Sequence, residues 1–343
     1  MPKRVCIIYT GGTVGMKKTP HGYAPAPGYL AEALGEIGEL SRRGMPSFDI
    51  VELTPLLDSS NISVPEWNKI ASMIGERYCD YDGFVVLHGT DTMAYTASAL
   101  SFILEGLDKP VILTGSQIPL CELRSDARDN LITSLIIASE GVVREVALYF
   151  GNRLLRGNRA TKISADGLVA FKSPNFPPLA EAGITIKYDR RLISSHRTGE
   201  PFHVRPLSAV PIGVLKVFPG LQFGLFESVM TEKLSGIVLE TFGTGNIPTS
   251  DGALLPIIKK AFSAGGVVVV CSQCPQGSVS LGAYETSSAL KAAGAVSGMD
   301  MTTEAAVAKL YYLFTKYESV EKIKEKMELS LRGELSENRT FVN

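Results

Sequence analysis

The stretch R-V-C-I-I-Y-T-G-G-T-V-G at Arg4–Gly15 joins an aliphatic run to a loop of glycines and threonines. The stretch G-F-V-V-L-H-G-T-D-T at Gly83–Thr92 repeats this arrangement. Short and nearly continuous aliphatic runs are typical of strands buried on both faces of a parallel sheet. Because ligands bind beyond the carboxyl ends of such strands, the two loops are predicted to form a site together. Two threonines and an aspartate there suggest nucleophilic attack on a carbonyl.

Further aliphatic runs alternate with helical patterns over the first two hundred residues. This alternation predicts a doubly wound α/β domain with a flavodoxin-like parallel sheet. The predicted strands are Arg4–Tyr9, Phe84–Leu87, Val111–Thr114 and Val146–Phe150. The predicted helices are one that begins with the capping box Ser63–Glu66 and ends near Arg77, Thr92–Leu104 and Asp126–Ser139.

The polar, proline-containing segment Arg190–Pro211 interrupts this pattern, and a shorter α/β pattern follows it. We therefore expect an N-terminal catalytic domain at 1–190, a linker at 191–212 and a smaller C-terminal α/β domain at 213–343. The strands predicted for the smaller domain are Gly213–Phe218, Gly236–Glu240 and Gly266–Cys271, and its helices lie near Asp251–Phe262 and Thr302–Lys316.

The composition argues against several classes of partner. The 34 basic and 35 acidic side chains give a net charge of −1, which favours neither nucleic acid nor an anionic membrane surface. The early apolar run Val5–Tyr9 is too short for a signal peptide core or a membrane span. We expect a cytoplasmic protein.

The five cysteines are odd in number and scattered, as expected in a reducing compartment. Cys271 and Cys274 form a C-x-x-C, so redox or zinc chemistry is one interpretation. Neither a second C-x-x-C nor a ligand-spaced histidine pair accompanies it, and the alternative is two small residues at the end of a buried strand. The nucleotide-binding motifs G-x-G-x-x-G and G-x-x-x-x-G-K-[ST] are also missing. We therefore expect neither a metal nor a cofactor.

A threonine hydroxyl needs a base before it can attack a carbonyl. Lys162 can act as a base if it is desolvated beside other cations, although most lysines are solvated. Tyr23 lies in Gly15–Gly28, a loop long enough to act as a lid, and its phenol either reaches Thr13 or packs on the surface. Asp91 either binds an ammonium or a lysine, or caps the following helix.

The run Asp58-Ser59-Ser60 precedes the capping box. Hydroxyls near the start of a helix can bind a carboxylate, and the alternative is a plain turn. Without further information, these residues predict a small-molecule enzyme with a hydroxyl nucleophile.

Taken together, these segments resemble the bacterial-type L-asparaginases, and specifically the cytoplasmic type I group. The two signatures of that family correspond to Ile7–Gly15 and Gly83–Met93, which match throughout. T-G-S-Q-I-P at Thr114–Pro119 and L-R-G-E-L at Leu331–Leu335 are also similar to type I sequences. The resemblance covers essentially the whole chain.

The resemblance implies hydrolysis of the side-chain amide of L-asparagine to L-aspartate and ammonia, without a cofactor. Thr13 corresponds to the nucleophile that forms the acyl-enzyme, with Tyr23 assisting it. Thr90, Asp91 and Lys162 correspond to a second triad, in which Lys162 activates Thr90. The order in which the two threonines attack is open, and Thr13 is taken as the nucleophile.

The resemblance also assigns the substrate's other groups. Ser59, with Asp58 and Ser60 beside it, would hold the α-carboxylate, and Asp91 would hold the α-ammonium. Backbone N–H groups around Gly12–Thr13 and Gly89–Thr90 are candidate oxyanion donors.

In the family, the second domain of a neighbouring subunit completes the site, and Asn246 occupies the matching loop. This implies a homodimer or a homotetramer built as a dimer of dimers. The acidic residue that type II enzymes donate from the neighbour has no assigned counterpart here. Some type I enzymes have a second, activating asparagine site, whose pocket Thr161 and Cys274 fit. Glu240 stands where those enzymes carry arginine, which should weaken carboxylate binding.

Three alternatives accompany this interpretation. A glutaminase-asparaginase of broad specificity is one, because a single methylene changes pocket energetics by only about 1–3 kcal/mol. A non-catalytic amino-acid sensor on the same scaffold is another, although a sensor needs no pair of activated hydroxyls. Subunits of tRNA-dependent amidotransferases share both signatures but carry an extra domain before T-G-G-T, whereas nine residues precede Thr10 here.

Overall fold

The computed structural model describes residues 3–20, 22–193, 200–248, 252–282 and 284–337. The chain divides into two compact units, Met1–Pro206 and Leu207–Asn343. Residues 194–199 of the predicted linker, and Asp251 at the start of a predicted helix, lie outside the described residues.

The strands of the first unit are β1 (Arg4–Gly11), β2 (Met16–Thr19), β3 (Gly22–Pro25), β4 (Ser47–Leu57), β5 (Gly83–Leu87), β6 (Leu104–Glu105), β7 (Val111–Thr114), β8 (Val146–Phe150), β9 (Arg153–Arg156), β10 (Thr161–Lys162), β11 (Phe171–Lys172), β12 (Ala180–Ala182), β13 (Ile186–Tyr188) and β14 (His203–Val204). Its α-helices are α1 (Tyr29–Gly35), α2 (Val64–Glu76), α3 (Met93–Ile103) and α4 (Ala127–Glu140). Each strand and helix that the sequence predicted for this unit is present, with boundaries shifted by at most two residues.

The central sheet of the first unit has, within the described residues, the strand order β13-β12-β9-β8-β7-β5-β1-β4. Strands β4, β1, β5, β7 and β8 are mutually parallel, whereas β9, β12 and β13 continue the sheet in antiparallel fashion. In chain order, the five parallel strands read 2-1-3-4-5, which is the flavodoxin-like arrangement. The predicted fold class is confirmed.

Both faces of the central strands are buried. Val5, Ile7 and Tyr9 of β1 belong to a core cluster with residues of α1 and α4, and helix α2 contacts β1 as well. The intervening Cys6 and Ile8 are also fully buried. Because side chains alternate between the faces of a strand, a continuous aliphatic run is needed to fill both layers.

Strand β4 is not among the strands that the sequence predicts. It lies at the edge of the sheet, where most of its residues are partly exposed. It contains Asp49, Glu52 and Pro55, residues that are depleted in central strands but tolerated at an edge. Its sequence therefore lacks the apolar pattern of β1 or β5.

Helix α2 begins where the sequence predicts. Its N-cap is Ser63, and the Glu66 carboxylate accepts hydrogen bonds from the Ser63 N–H at 2.9 Å and the Ser63 hydroxyl at 2.5 Å. These bonds lower the pKa of Glu66, because they favour its charged form. The capping box thus fixes the turn between Ser59 and α2.

The second unit contains the parallel strands β15 (Ile212–Lys216), β16 (Gly236–Thr241), β17 (Val267–Ser272) and β18 (Val296–Ser297). Its helices are α5 (Leu254–Ser263), α6 (Glu285–Ala292), α7 (Thr303–Lys316) and α8 (Val320–Met327). The predicted strands and the helix that follows Thr302 are confirmed, whereas α6, α8 and β18 had not been predicted. Among the described residues, none of the helices is long and apolar enough to cross a membrane.

Candidate active site

Three loops meet where the neighbouring strands β4, β1 and β5 end. Gly12 has a φ of +85°, and a Cβ placed on it would lie 2.4 Å from the Gly89 nitrogen. A Cβ on Gly89 would lie 2.4 Å from the Ser59 hydroxyl oxygen. Only glycine permits these approaches, so the glycines of both signatures allow the loops after β1 and β5 to touch. This position lies between strands 1 and 3 of the 2-1-3-4-5 order, which is the topological switch point.

Ser59 lies in a short 3₁₀ turn directly after β4 and is 6% exposed. The Asp58 carboxylate accepts hydrogen bonds from the Ser60 N–H and the Ser60 hydroxyl, both at 2.9 Å. The Thr92 hydroxyl donates to the Ser59 carbonyl at 2.7 Å. Asp58 and Ser60 therefore shape the turn, while Ser59 is the residue of this run that faces the Gly89 loop.

Thr90, Asp91 and Lys162 are brought together. The Lys162 ammonium donates to the Thr90 hydroxyl at 2.9 Å and to the Asp91 carboxylate at 2.7 Å. Lys162 is held in β10, where it pairs with Phe171 of β11. Its side chain is 19% exposed, whereas that of Asp91 is 68% exposed. A largely buried amine thus lies beside a hydroxyl, and a carboxylate with free solvent-facing surface lies next to both.

Gln117 completes this cluster, although the sequence predicts no role for it. The Thr90 hydroxyl donates to the Gln117 side-chain carbonyl at 3.1 Å. The Asp126 carboxylate accepts from the backbone N–H groups of Gln117 and Ile118 at 3.0–3.1 Å, which holds the loop after β7 in place. The signal available in the sequence was the T-G-S-Q stretch after a predicted strand.

Thr13 follows β1 in a short 3₁₀ turn and is partly exposed. Tyr23 lies on the antiparallel hairpin of β2 and β3, so much of the predicted lid has regular structure. The Tyr23 hydroxyl donates to the Glu122 carboxylate at 2.6 Å, and this bond is the main reason that the pKa of Tyr23 is raised. Among the described residues, Tyr23 makes no hydrogen bond to Thr13.

The residues assigned to a neighbouring subunit or to a second site each have partners within their own unit. Asn246 follows β16, and its side-chain carbonyl accepts from the Thr286 hydroxyl at 3.0 Å. The Glu240 carboxylate accepts from the Thr303 hydroxyl at 2.6 Å. Thr161 pairs with Lys172 in the first unit, and the exposed Cys274 follows β17 in the second.

The C-x-x-C segment has the properties expected of small residues at the end of a buried strand. Cys271 is 1% exposed, and burial raises the pKa of its thiol to about 12. Cys274 is exposed, and both cysteines are free thiols. A reactive cysteine needs a lowered pKa, so these observations favour the structural interpretation of Cys271.

Two family domain models match this chain. The asparaginase N-terminal domain model matches residues 4–194, and the glutaminase/asparaginase C-terminal domain model matches residues 211–327. L-asparaginase 1 of Escherichia coli strain K12 is 47% identical over 97% of this chain and 98% of its own length.

Two solved structures are similar over nearly the whole chain. The structure of L-asparaginase I from Vibrio cholerae has a TM-score of 0.91 and 46% identity, and the match covers 98% of this chain and all of that one. The thermostable L-asparaginase from Thermococcus kodakarensis has a TM-score of 0.88 and 31% identity, with coverage of 97% and 99%.

Proposed function

Because the chain belongs to the asparaginase family of enzymes, we propose that it hydrolyses the side-chain amide of L-asparagine to L-aspartate and ammonia through a threonine acyl-enzyme. The contact of Lys162 with both Thr90 and Asp91 carries this proposal. A binding protein has no need of an amine beside a hydroxyl at a glycine-lined strand end. The names of the relatives described above support the choice of substrate.

Thr13 is the proposed nucleophile. Its oxygen bonds to the carbonyl carbon of the substrate amide, and its proton leaves with the departing ammonia. Tyr23 assists this transfer after its hydroxyl has released Glu122. The resulting oxyanion is held by backbone N–H groups of Gly12–Thr13 and Gly89–Thr90, and each such donor contributes about 3 kcal/mol in known acyl-transfer enzymes.

The second half of the reaction releases L-aspartate. A water molecule attacks the acyl-enzyme carbonyl, the bond to the threonine oxygen breaks, and that oxygen regains a proton. Thr90 and Lys162, whose side chains lie 2.9 Å apart, form the path along which the proton of the attacking water moves. The Gln117 side-chain carbonyl accepts from the Thr90 hydroxyl at 3.1 Å and orients it.

Substrate orientation follows from the groups around this path. The Ser59 hydroxyl, beside Gly89, would bind the α-carboxylate, and Asp58 and Ser60 would fix its turn. The exposed part of the Asp91 carboxylate would bind the α-ammonium. A homodimer or homotetramer would bring Asn246 of a neighbouring subunit to complete the site, and we propose that the protein acts in the cytoplasm.

The test is ammonia release by the purified protein with L-asparagine and, separately, with L-glutamine. Thr13→Ala is expected to abolish turnover, and Lys162→Met to lower kcat by about 10²–10⁴-fold, as expected when a general base is lost. Lys172→Met is the matched control, because Lys172 lies on the partner strand of Lys162 and is exposed.

Each outcome distinguishes the alternatives. Full activity of Thr13→Ala would remove Thr13 from the nucleophile role. Comparable kcat/KM for both amides would identify a broad glutaminase-asparaginase. Binding of either amino acid without any ammonia release would overturn the hydrolase and favour a sensor.

A further inference from the structure

His88 lies directly after β5 and is 1% exposed, and the proposed catalytic residues do not include it. Its Nδ1 lies 2.7 Å from the Gly89 carbonyl oxygen, and its Nε2 lies 3.0 Å from the Thr96 hydroxyl oxygen. Trp67 of α2 donates its indole N–H to the same Thr96 hydroxyl at 3.1 Å. A buried polar chain therefore runs from α2 through α3 to the Gly89–Thr90 peptide.

The partners determine which ring nitrogen carries the proton. A carbonyl oxygen only accepts hydrogen bonds, so Nδ1–H of His88 must donate to Gly89. Nε2 is then unprotonated and accepts from the Thr96 hydroxyl, which in turn accepts from Trp67. Burial lowers the pKa of His88 to about 4, so the ring is neutral and keeps this tautomer at neutral pH. Both ring nitrogens are satisfied.

This bond fixes the orientation of one peptide group. In a planar trans peptide, the carbonyl and the following N–H point in opposite directions. Holding the Gly89 carbonyl against His88 therefore directs the Thr90 N–H away from the ring. Thr90 is 7% exposed, and its N–H has no acceptor among the described residues. A backbone donor without a protein partner at this position can bind an acceptor on a ligand.

We propose that His88 is a positioning residue that holds the Gly89–Thr90 peptide so that the Thr90 N–H donates to the oxyanion. The inference rests on the proposed amide hydrolysis and adds a residue that never touches the substrate. An oxyanion donor acts on charge that develops in the transition state. Loss of its orientation should therefore lower kcat and leave KM nearly unchanged.

Two isosteric substitutions separate positioning from packing. In His88→Asn, the side-chain amide can place a donor near the position of Nδ1 and keep the bond to Gly89. In His88→Gln, the amide reaches the position of Nε2 and Thr96, and the bond to Gly89 is lost. We expect His88→Gln to lower kcat about 10–100-fold with KM within about twofold, since one oxyanion donor accounts for 10²–10³ in kcat. His88→Asn should retain kcat within about fivefold.

The relative kcat values of the two variants test the inference. Equal losses of kcat in both variants, or a larger loss in His88→Asn, would assign His88 a packing role only. Unchanged kcat in His88→Gln, with active wild-type protein, would overturn the inference and leave amide hydrolysis intact. Wild-type protein that releases no ammonia would instead overturn the proposed function.

A measurement on the wild-type protein covers the case in which the variants do not fold. The ¹⁵N chemical shifts of the His88 ring report which nitrogen is protonated, independently of activity. We expect a protonated Nδ1 and an unprotonated Nε2 at pH 7. A ring protonated on Nε2 instead would break the bond to Gly89 and overturn the inference.

Discussion

The Thr90 hydroxyl lies between a donor and an acceptor, the Lys162 amine and the Gln117 carbonyl. Threonine, aspartate and lysine were predicted here from their match to family motifs. Gln117 was not, because the T-G-S-Q stretch marks a loop after a strand but does not show which side chain its glutamine contacts. Its role depends on the adjacency of β7 and β5, which places the two loops side by side.

His88 gives a prediction about pH and stability. Its pKa is about 4 in the folded protein and about 6.5 when unfolded, so the unfolded chain binds more protons between these values. The contribution of His88 to the free energy of unfolding is fully present above pH 6.5 and is lost as the pH falls through 4. Between pH 7 and pH 5, this residue alone should lower the free energy of unfolding by about 2 kcal/mol.

The measurement compares urea unfolding of wild-type protein and His88→Asn at both pH values. From pH 7 to pH 5, the free energy of unfolding of the wild-type protein should fall by about 2 kcal/mol more than that of the variant, because the other titrating groups are common to both. An identical pH dependence in the two proteins would show that His88 does not stay neutral in the folded state.

The candidate active site lies where the loops after β1 and β5 meet. The parallel register pairs Tyr9 with Leu87, where the pairing of the two strands ends. Gly12 and Gly89 then bring the two loops into backbone contact. A strand end without glycine would separate the loops by the width of a side chain.

Gly12→Ala should therefore damage the site. Its φ of +85° disfavours a side chain, and the new Cβ would overlap the backbone of Gly89. Gly28→Ala is the matched control, since Gly28 has a φ of +75° but open space around its Cβ position.

We expect Gly28→Ala to cost about 1 kcal/mol of stability and to leave kcat near the wild-type value. Gly12→Ala should cost about 1–3 kcal/mol more and remove most activity. The comparison uses thermal unfolding and ammonia release for both variants. Equal activity in the two variants would mean that the loops tolerate separation.

For regulation of the whole molecule, the resemblance to type I enzymes implies that Glu240 stands where regulated members carry an arginine. Its carboxylate accepts from Thr303 at the start of α7, and a helix N-terminus favours a negative charge. An anionic side chain that is already bound there would repel the carboxylate of an amino acid placed beside it.

We therefore predict a hyperbolic dependence of ammonia release on L-asparagine concentration. The initial rate is measured over a range from well below to well above KM, at constant protein concentration. Glu240→Gln serves as the comparison, because it keeps the shape of the side chain and removes its charge. A sigmoidal curve from the wild-type protein would show that homotropic activation survives without the arginine.

Short-range patterns in the sequence predict much of the architecture. The aliphatic runs of β5, β7 and β8 and the capping box of α2 are local, so their positions follow from periodicity and hydrogen bonding within a few residues. Edge strand β4 was not predicted. Most of its residues are partly exposed, so its sequence does not need a continuous apolar run.

The amino-acid sequence alone therefore determined the doubly wound fold, the family resemblance and the threonines at the strand ends. Tertiary structure decided which side chains meet there. Lys162 reaches Thr90 across 72 residues of chain, and His88 reaches Thr96 on the following helix. The fully buried ion pair of Lys309 and Glu334 in the second unit is another such contact. Contacts of this kind arise from the packing of whole elements, because burial removes water and leaves polar groups only each other as partners.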